Sequence, residues 1–367
     1  MEPETIFFLA SELSPCGSAR QLARIALGLD RTRFHVEVGV LGSAETSLAA
    51  TLTAAGIPVH ALPIRNVFDW SGMRRLRKAV GRAAIVHAWG PAAVRATRAI
   101  STSRSESGNR PRLIASAASF PPPGLAGWLT TRRLRNCDRI IPATWAEAER
   151  YRRLQVLGER LTRIAPGVAL PTGSMNRAAL LQELGLPPNA RFIAAAGRLE
   201  TASDFKSAIW AFDLIRYEYP DLHLVIFGDG PDRDDIEAFA RALMFDDLRV
   251  RFAGSRADLP EILTHAEFVW ITHDRGGISL ALEAMAAGKL VLGWKTPELA
   301  EVIEDERGEY LVEPKDRAQL GVKSYPLVRD PEIAVNFGVK GQRRVVECYS
   351  EQRTIEQYSR LYEELAR

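Results

Sequence analysis

Apolar residues in this chain fall in short runs, and the runs alternate with stretches whose apolar positions recur at helical spacing. Glu4–Ala10 predicts a first strand. Ser18–Leu29 predicts a helix with Leu22, Ile25, Ala26 and Leu29 on one face and Ser18 as N-cap. Further strands are expected at Phe34–Leu41, Val59–Leu62, Ala84–Trp89, Leu113–Ser116, Asp138–Pro142 and Leu161–Ile164. Helices are expected at Ser47–Ala55, at the basic Trp70–Ala83 and at Thr144–Leu157. Gly90 and Pro91 read as a loop, Phe120–Trp128 as irregular, and Pro171–Asn176 as a linker.

A second series then repeats the alternation, with strands at Phe192–Ala196, His223–Phe227, Val250–Ala253, Phe268–Ile271 and Lys289–Gly293. Its helices fall at Phe205–Glu218, Asp232–Leu243, Leu259–His265 and Pro297–Ile303. Two such series predict an α/β protein of two doubly wound, Rossmann-like domains facing a cleft, spanning 1–170 and 171–350. The final segment, Glu351–Ala366, is a helix with Ile355, Tyr358, Leu361, Tyr362 and Leu365 as its apolar stripe.

Within the second series, 268–293 reads as strand, glycine turn, helix, glycine stop, strand. Gly276 and Gly277 let the backbone turn tightly and approach a ligand. Ser279 is placed to cap the helix that carries Glu283, and Gly288 to end it. A helix N-terminus opening at the C-terminal end of a parallel strand is a natural phosphate site, because its unpaired N–H groups and dipole point there. Taken alone, the segment is equally an ordinary βαβ unit without a ligand.

Composition narrows the class. The 367 residues are 46% hydrophobic and 25% charged, in the range of globular proteins. The apolar runs are too short for a membrane span, and Glu2 and Glu4 stand where a secretory signal would be basic. Cys16, Cys137 and Cys348 show no metal spacing and fit a reducing cytoplasm; the six histidines are scattered, so no metal is expected. Net charge is only +3, but residues 1–170 hold 24 Lys and Arg against 12 Asp and Glu, and 171–367 hold 24 against 33. That imbalance suggests an anionic partner for the first half, such as a membrane surface, a polyanionic glycan or nucleic acid. Solvated arginines with no partner would give the same imbalance. Aromatic residues beside Arg132, Arg133 and Arg135 suit a membrane interface or a loop packed on its own domain.

Several fragments, in order, resemble the family 4 retaining glycosyltransferases of the GT-B fold. They are Gly197-Arg-Leu199 after a strand, Leu224–Pro231 with its Gly228-Asp-Gly230 turn, Leu282-Glu-Ala-Met-Ala-Ala-Gly288, and Glu298–Ile303. In the first half, Gly17–Leu22 resembles the family's glycine loop, and Gly56-Ile-Pro-Val59 and the Val86-His87 strand end are similar to it. The resemblance implies sugar transfer from a nucleotide-sugar donor to a glycan or lipid acceptor of the envelope, without a cofactor or metal. It also implies a last helix, 351–367, that packs back on the first domain. The barrier in such chemistry is separating a diphosphate from an oxocarbenium-like sugar, so positive charge must meet the leaving group.

By position, the resemblance makes Arg198, His87 and Lys206 the catalytic candidates. Gly17, Glu283, Arg275, Gly276, Gly277, Gly228 and Gly230 become the substrate-binding candidates, with Glu283 on the nucleotide ribose. The chain departs from the pattern at several places. Ser203 stands where the family has a lysine, and Lys206, three residues on, either reaches back or is a solvated helix residue. Arg275, with Asp274 beside it, replaces a carboxylate, and a guanidinium there could pair with diphosphate. Trp89 replaces the second histidine of a His-x-His pattern, and Ala19 a glutamate. These changes motivate a second reading: a diverged GT-B protein that binds nucleotide or glycan without transfer. An epimerase of similar fold would need acid–base residues that cannot be assigned, and no Gly-x-Gly-x-x-Gly supports a dehydrogenase. The expected setting is cytoplasmic, with peripheral contact with an anionic membrane and no nucleic acid.

Overall fold

The computed structural model describes residues 3–15, 17–64, 69–100, 110–116, 125–245, 247, 249–304 and 310–366. The chain divides into two units, residues 1–167 with 351–367, and residues 168–350. The crossings therefore fall after Gly167 and after Ser350.

The first unit is built on six parallel strands: β1 (Glu4–Ala10), β2 (Phe34–Val40), β3 (Val59–Ala61), β4 (Ile85–Trp89), β5 (Arg112–Ser116) and β6 (Arg139–Ile141). Their spatial order is β3-β2-β1-β4-β5-β6. Both faces of the sheet are covered, which is why β1 is an unbroken apolar run rather than an alternating one. Its residues still part by face. Ile6, Phe8 and Ala10 join one core with the helix Gly17–Gly28, and Phe7 and Leu9 join the other with Leu76 and Val86.

The helix Glu351–Ala366 completes the first of these cores, with Tyr358, Leu361, Tyr362 and Leu365 buried against Phe8 and Phe34. Two contacts fix its approach. Gly28 leaves room for Ile355, whose side chain occupies the space a Cβ would need. Thr354 donates from Oγ1 to the Ala165 carbonyl at 3.0 Å. Nearby, the buried amide of Gln21 donates to the Gly167 carbonyl at 2.6 Å and accepts from the Gly167 N–H at 3.2 Å.

The second unit repeats the plan with β7 (Arg191–Ala196), β8 (Leu222–Phe227), β9 (Val250–Gly254), β10 (Val269–Ile271), β11 (Val291–Trp294) and β12 (Leu311–Val312), in the order β12-β11-β10-β7-β8-β9. Both sheets thus reverse direction of strand addition once, between β1 and β4 and between β7 and β10. In open parallel sheets such reversals are where ligands bind, at the C-terminal strand ends.

Several expectations change. Leu161–Ile164 forms no strand, only a single bridge between Ile140 and Leu161. Residues 117–124 lie outside the described set, but Leu125–Leu134, partly expected as irregular, is a helix. Pro91 opens a short helix, Pro91–Ala96, where its missing N–H costs nothing. Ser18 does not cap its helix, which already begins at Gly17. The helices Arg177–Glu183, Arg317–Arg329 and Pro331–Cys348, and strand β12, were not anticipated. Pro326 inside Arg317–Arg329 disguises that helix. Pro331–Cys348 carries Gly338, a poor helix former that is needed here because its bare Cα packs on the Gly288 carbonyl.

Candidate active site

At the β7–β10 reversal, three turns are laced together by backbone bonds. The turn after β7 meets the one after β8: Gly197 N–H donates to Phe227 at 2.9 Å, Leu199 N–H to Asp229 at 3.0 Å, and Asp232 N–H to Leu199 at 3.0 Å. Gly228 (φ +128°) and Gly230 are bare so that this contact can close, since a Cβ on either would run into the Gly197 or Leu199 backbone. In the structure they pack turn on turn, a role the sequence did not assign them. The loop after β10 is tied to the third turn, where Thr272 Oγ1 donates to the Ser203 carbonyl at 2.8 Å and Asp274 N–H to Ala202 at 2.9 Å.

The glycine pair makes the tight turn that its sequence implied. Gly276 (φ +80°) and Gly277 (φ +76°) are both left-handed, and a Cβ on Gly277 would lie 2.6 Å from Ile271 Cγ2. They deliver the chain into the helix Ile278–Ala286 with Gly277 as N-cap and no side-chain cap bond. Ser279 is therefore not the cap; it lies inside the first turn. The N–H groups of that turn have no side-chain cap, the kind of helix end at which anions are favoured.

Arg198 is exposed in the turn after β7, with Nε 3.3 Å from Glu200 Oε2, and its carbonyl accepts from Ser203 Oγ at 2.6 Å. Ser203, 2% exposed, is thus a turn-locking hydroxyl. Lys206 does not reach back. Its Nζ lies 2.6 Å from Asp235 Oδ2 and over the Phe239 ring at 5.5 Å, at a site 42% exposed. Arg275 is exposed, whereas Glu283 is 0% exposed inside its helix.

Two residues not singled out from sequence belong here. His273 fills the space that the absent Gly197 side chain leaves, with its ring edge-on to Phe205 at 6.0 Å. Burial lowers its imidazole to about 4, so it is neutral, and Nδ1 is enclosed without a partner among the described residues. Asp204 adopts a left-handed conformation (φ 48°) before the helix Phe205–Arg216, and burial, with Asp274 adding to it, raises its carboxyl. The positions of both could have been flagged by counting from the strand ends; their burial could not.

The first unit's reversal is organised differently. Ser11 N–H donates to Trp89 at 2.9 Å, its Oγ accepts from Ala93 N–H at 3.0 Å, and Gly90 (φ +93°) makes room for that hydroxyl. Gly17 opens the adjacent helix, half-buried, next to Cys16, which lies outside the described residues. His87, expected to act on substrate, is enclosed instead. Its Nδ1 is 2.7 Å from Tyr362 Oη, its Nε2 is 2.7 Å from Ser116 Oγ, and Phe8, Trp89 and Tyr358 pack around the ring. Both ring nitrogens are occupied within the core, and burial lowers the imidazole to about 3. His87 joins the last helix to the sheet. Among the described residues no three His, Cys, Asp or Glu side chains converge on a metal position, and no helix is long and apolar enough to cross a membrane.

Two parallel sheets of this order, one in each unit, are the plan of the GT-B fold. Residues 176–344, within the second unit, match the family described as glycosyl transferases group 1. The chain is similar, at 25% identity over 189 residues, to N-acetyl-alpha-D-glucosaminyl L-malate synthase of Bacillus anthracis. That match covers 51% of this chain and 49% of the relative, so the chain spans about half that relative's length. Anabaena HepE, solved in complex with UDP-glucose, superposes with a TM-score of 0.82 at 18% identity over 98% of this chain and 99% of its own. WaaG, a glycosyltransferase involved in lipopolysaccharide biosynthesis, gives 0.75 at 15% identity over 97% and 99%.

Proposed function

We propose that the protein transfers a sugar from a nucleotide diphosphate donor to a lipid or polysaccharide acceptor of the cell envelope, with retention at the anomeric carbon. The observation that carries this is the β7–β10 reversal, where the Arg198 turn, His273 and an uncapped helix end lie within the stretch that matches the glycosyl transferases group 1 family. The helix end and Arg198 would hold the diphosphate and stabilise its charge as the glycosidic bond breaks. His273 would present its unused nitrogen to a donor group, and Glu283 would hold the ribose after a small shift of its helix. Retention rests on the resemblance of Leu282–Gly288 to the family 4 motif. The relative crystallised with UDP-glucose makes a uridine nucleotide the first donor to try.

The acceptor would be met by the basic first unit. Trp128, 56% exposed with the Arg132 guanidinium 5.5 Å from its ring, and Leu125 offer an aromatic and cationic face to an anionic membrane. A specific observation favours the second reading, a diverged binder. Ser203 is spent on the turn and Lys206 on Asp235, which leaves Arg198 without the expected second cation.

Incubating the protein with a panel of nucleotide sugars and following nucleoside diphosphate release separates the two. Turnover establishes the transferase, stabilisation without turnover establishes the binder, and neither response from any donor sinks both.

A further inference from the structure

Away from the strand ends that form the candidate active site, the first unit contains an open cavity of about 830 Å³ with a charged wall. It lies at the opposite edge of the sheet, because Arg112 and Arg139, the first residues of β5 and β6, line it. About 13 Å of strand separates Arg112 from Ser116 at the reversal-facing end of β5, at the usual rise per residue. Arg110, Arg133 and Arg160 complete a set of five guanidinium groups, against the three carboxylates of Asp138, Glu159 and Glu364.

Two of the five are committed. Arg139 Nη2 is 2.8 Å from Glu364 Oε1, and Arg112 Nη1 is 3.7 Å from Asp138 Oδ1. The other three have no carboxylate partner among the described residues. Arg110 Nη2 reaches only the Asn136 carbonyl, at 3.5 Å, and Arg160 Nη1 only that of Arg135. Arg133 is half-buried, and both burial and the like charges of Arg98 and Arg132 work against its cationic form. With Glu159, among the described residues, the one carboxylate of the wall outside an ion pair, the five guanidinium groups leave the cavity a net charge of +2, and a multivalent anion relieves the repulsion among them. Arginine forks match phosphate oxygens in pairs. The cavity far exceeds a lone phosphate, which points to an ester or a diphosphate.

We propose that this cavity is a second anion site, independent of the candidate active site, that binds a phosphate-bearing group carried either on a soluble ester or on a lipid headgroup. Cys137, which also lines it, is a bystander, since burial pushes its thiol up to about 12.

The test uses the full chain and two probes, pyrophosphate by titration calorimetry and vesicles of phosphatidylcholine with phosphatidylglycerol by co-sedimentation. Arg110→Gln combined with Arg133→Gln is expected to lower affinity for at least one probe tenfold or more while the melting temperature and any nucleotide-sugar turnover stay unchanged. Arg133→Lys, which keeps charge but loses the fork, should give a smaller loss. Arg160→Gln, at a surface turn, repeats the test should the double variant not fold. Loss for pyrophosphate assigns the site to a soluble ester, loss for vesicles alone assigns it to a headgroup, and equal binding of both probes by wild type and variants overturns the proposal. Arg198→Ala serves as the control for phosphate binding at the active-site end.

Discussion

His87 offers a direct test of the enclosed network that joins β4 to the last helix. Burial holds its imidazole at about 3, against an ordinary 6.5, so the native state stays neutral where the unfolded chain takes a proton. Above pH 6.5 neither state is charged and the network's contribution is complete. As pH falls from 6.5 towards 3, the unfolded state gains about 1.4 kcal/mol per unit. At pH 4.5, two units below the unfolded value, the loss is about 2.7 kcal/mol. His87→Gln supplies an amide donor and acceptor to Tyr362 and Ser116 but does not titrate. It should cost about 1–3 kcal/mol at pH 7.5 through imperfect bonds, and it should lack the additional acid loss. The assay is the opening free energy of β4 amides from hydrogen exchange at pH 7.5 and 4.5, corrected for intrinsic rates. Parallel losses in wild type and variant, or a His87 ring resonance that titrates near its ordinary value, would refute the reasoning.

Gly228→Ala should destabilise the second unit by more than about 3 kcal/mol, because a backbone carbonyl blocks its Cβ, whereas Gly276→Ala, with open space around it, should cost only the left-handed penalty of about 1–2 kcal/mol; equal losses in chemical denaturation would mean the turns are not laced as described. Arg198→Ala is expected to weaken nucleotide-sugar binding by about 1–3 kcal/mol, and Lys206→Ala, which removes only a surface pair, to leave it unchanged; calorimetry showing the reverse order would restore Lys206 to the site. Gln21→Leu strips the Gly167 N–H and carbonyl of their buried partner and should cost about 2–4 kcal/mol, read as a lowered melting temperature. A melting temperature equal to wild type would show that water replaces the amide.

The strand–helix alternation was legible because parallel strands covered on both faces are short, continuous apolar runs bounded by turn residues. What escaped were elements whose local chemistry speaks against them. Pro326 and Gly338 sit within helices where only tertiary packing justifies them, and two-residue β12 is too short to leave a pattern. For the site, the left-handed Gly276 and Gly277 could be read from residue type alone. His87 could not be placed the same way, because the tyrosines that enclose it lie in a helix 275 residues further along. Lys206 and Ser203 show a related gap: sequence spacing counts residues, while the turn at 201–204 decides which side chains face the phosphate end.

The helix Glu351–Ala366 has a consequence for the order in which the protein is made. Phe8, Phe34 and His87 leave the ribosome before any of the second unit, yet Tyr358 and Tyr362, which close over them, follow the whole second unit in sequence. At a synthesis rate of about 5–20 residues per second, His87 waits about 15–55 s for Tyr362, with the core on that face of the first sheet lacking its last helix. The second unit, continuous from Val168 to Ser350, has everything it needs earlier and can fold while the first is still open. Of the two units, the one begun first is therefore the one that finishes last, and chaperones that shield apolar surface have the longer window on its sheet.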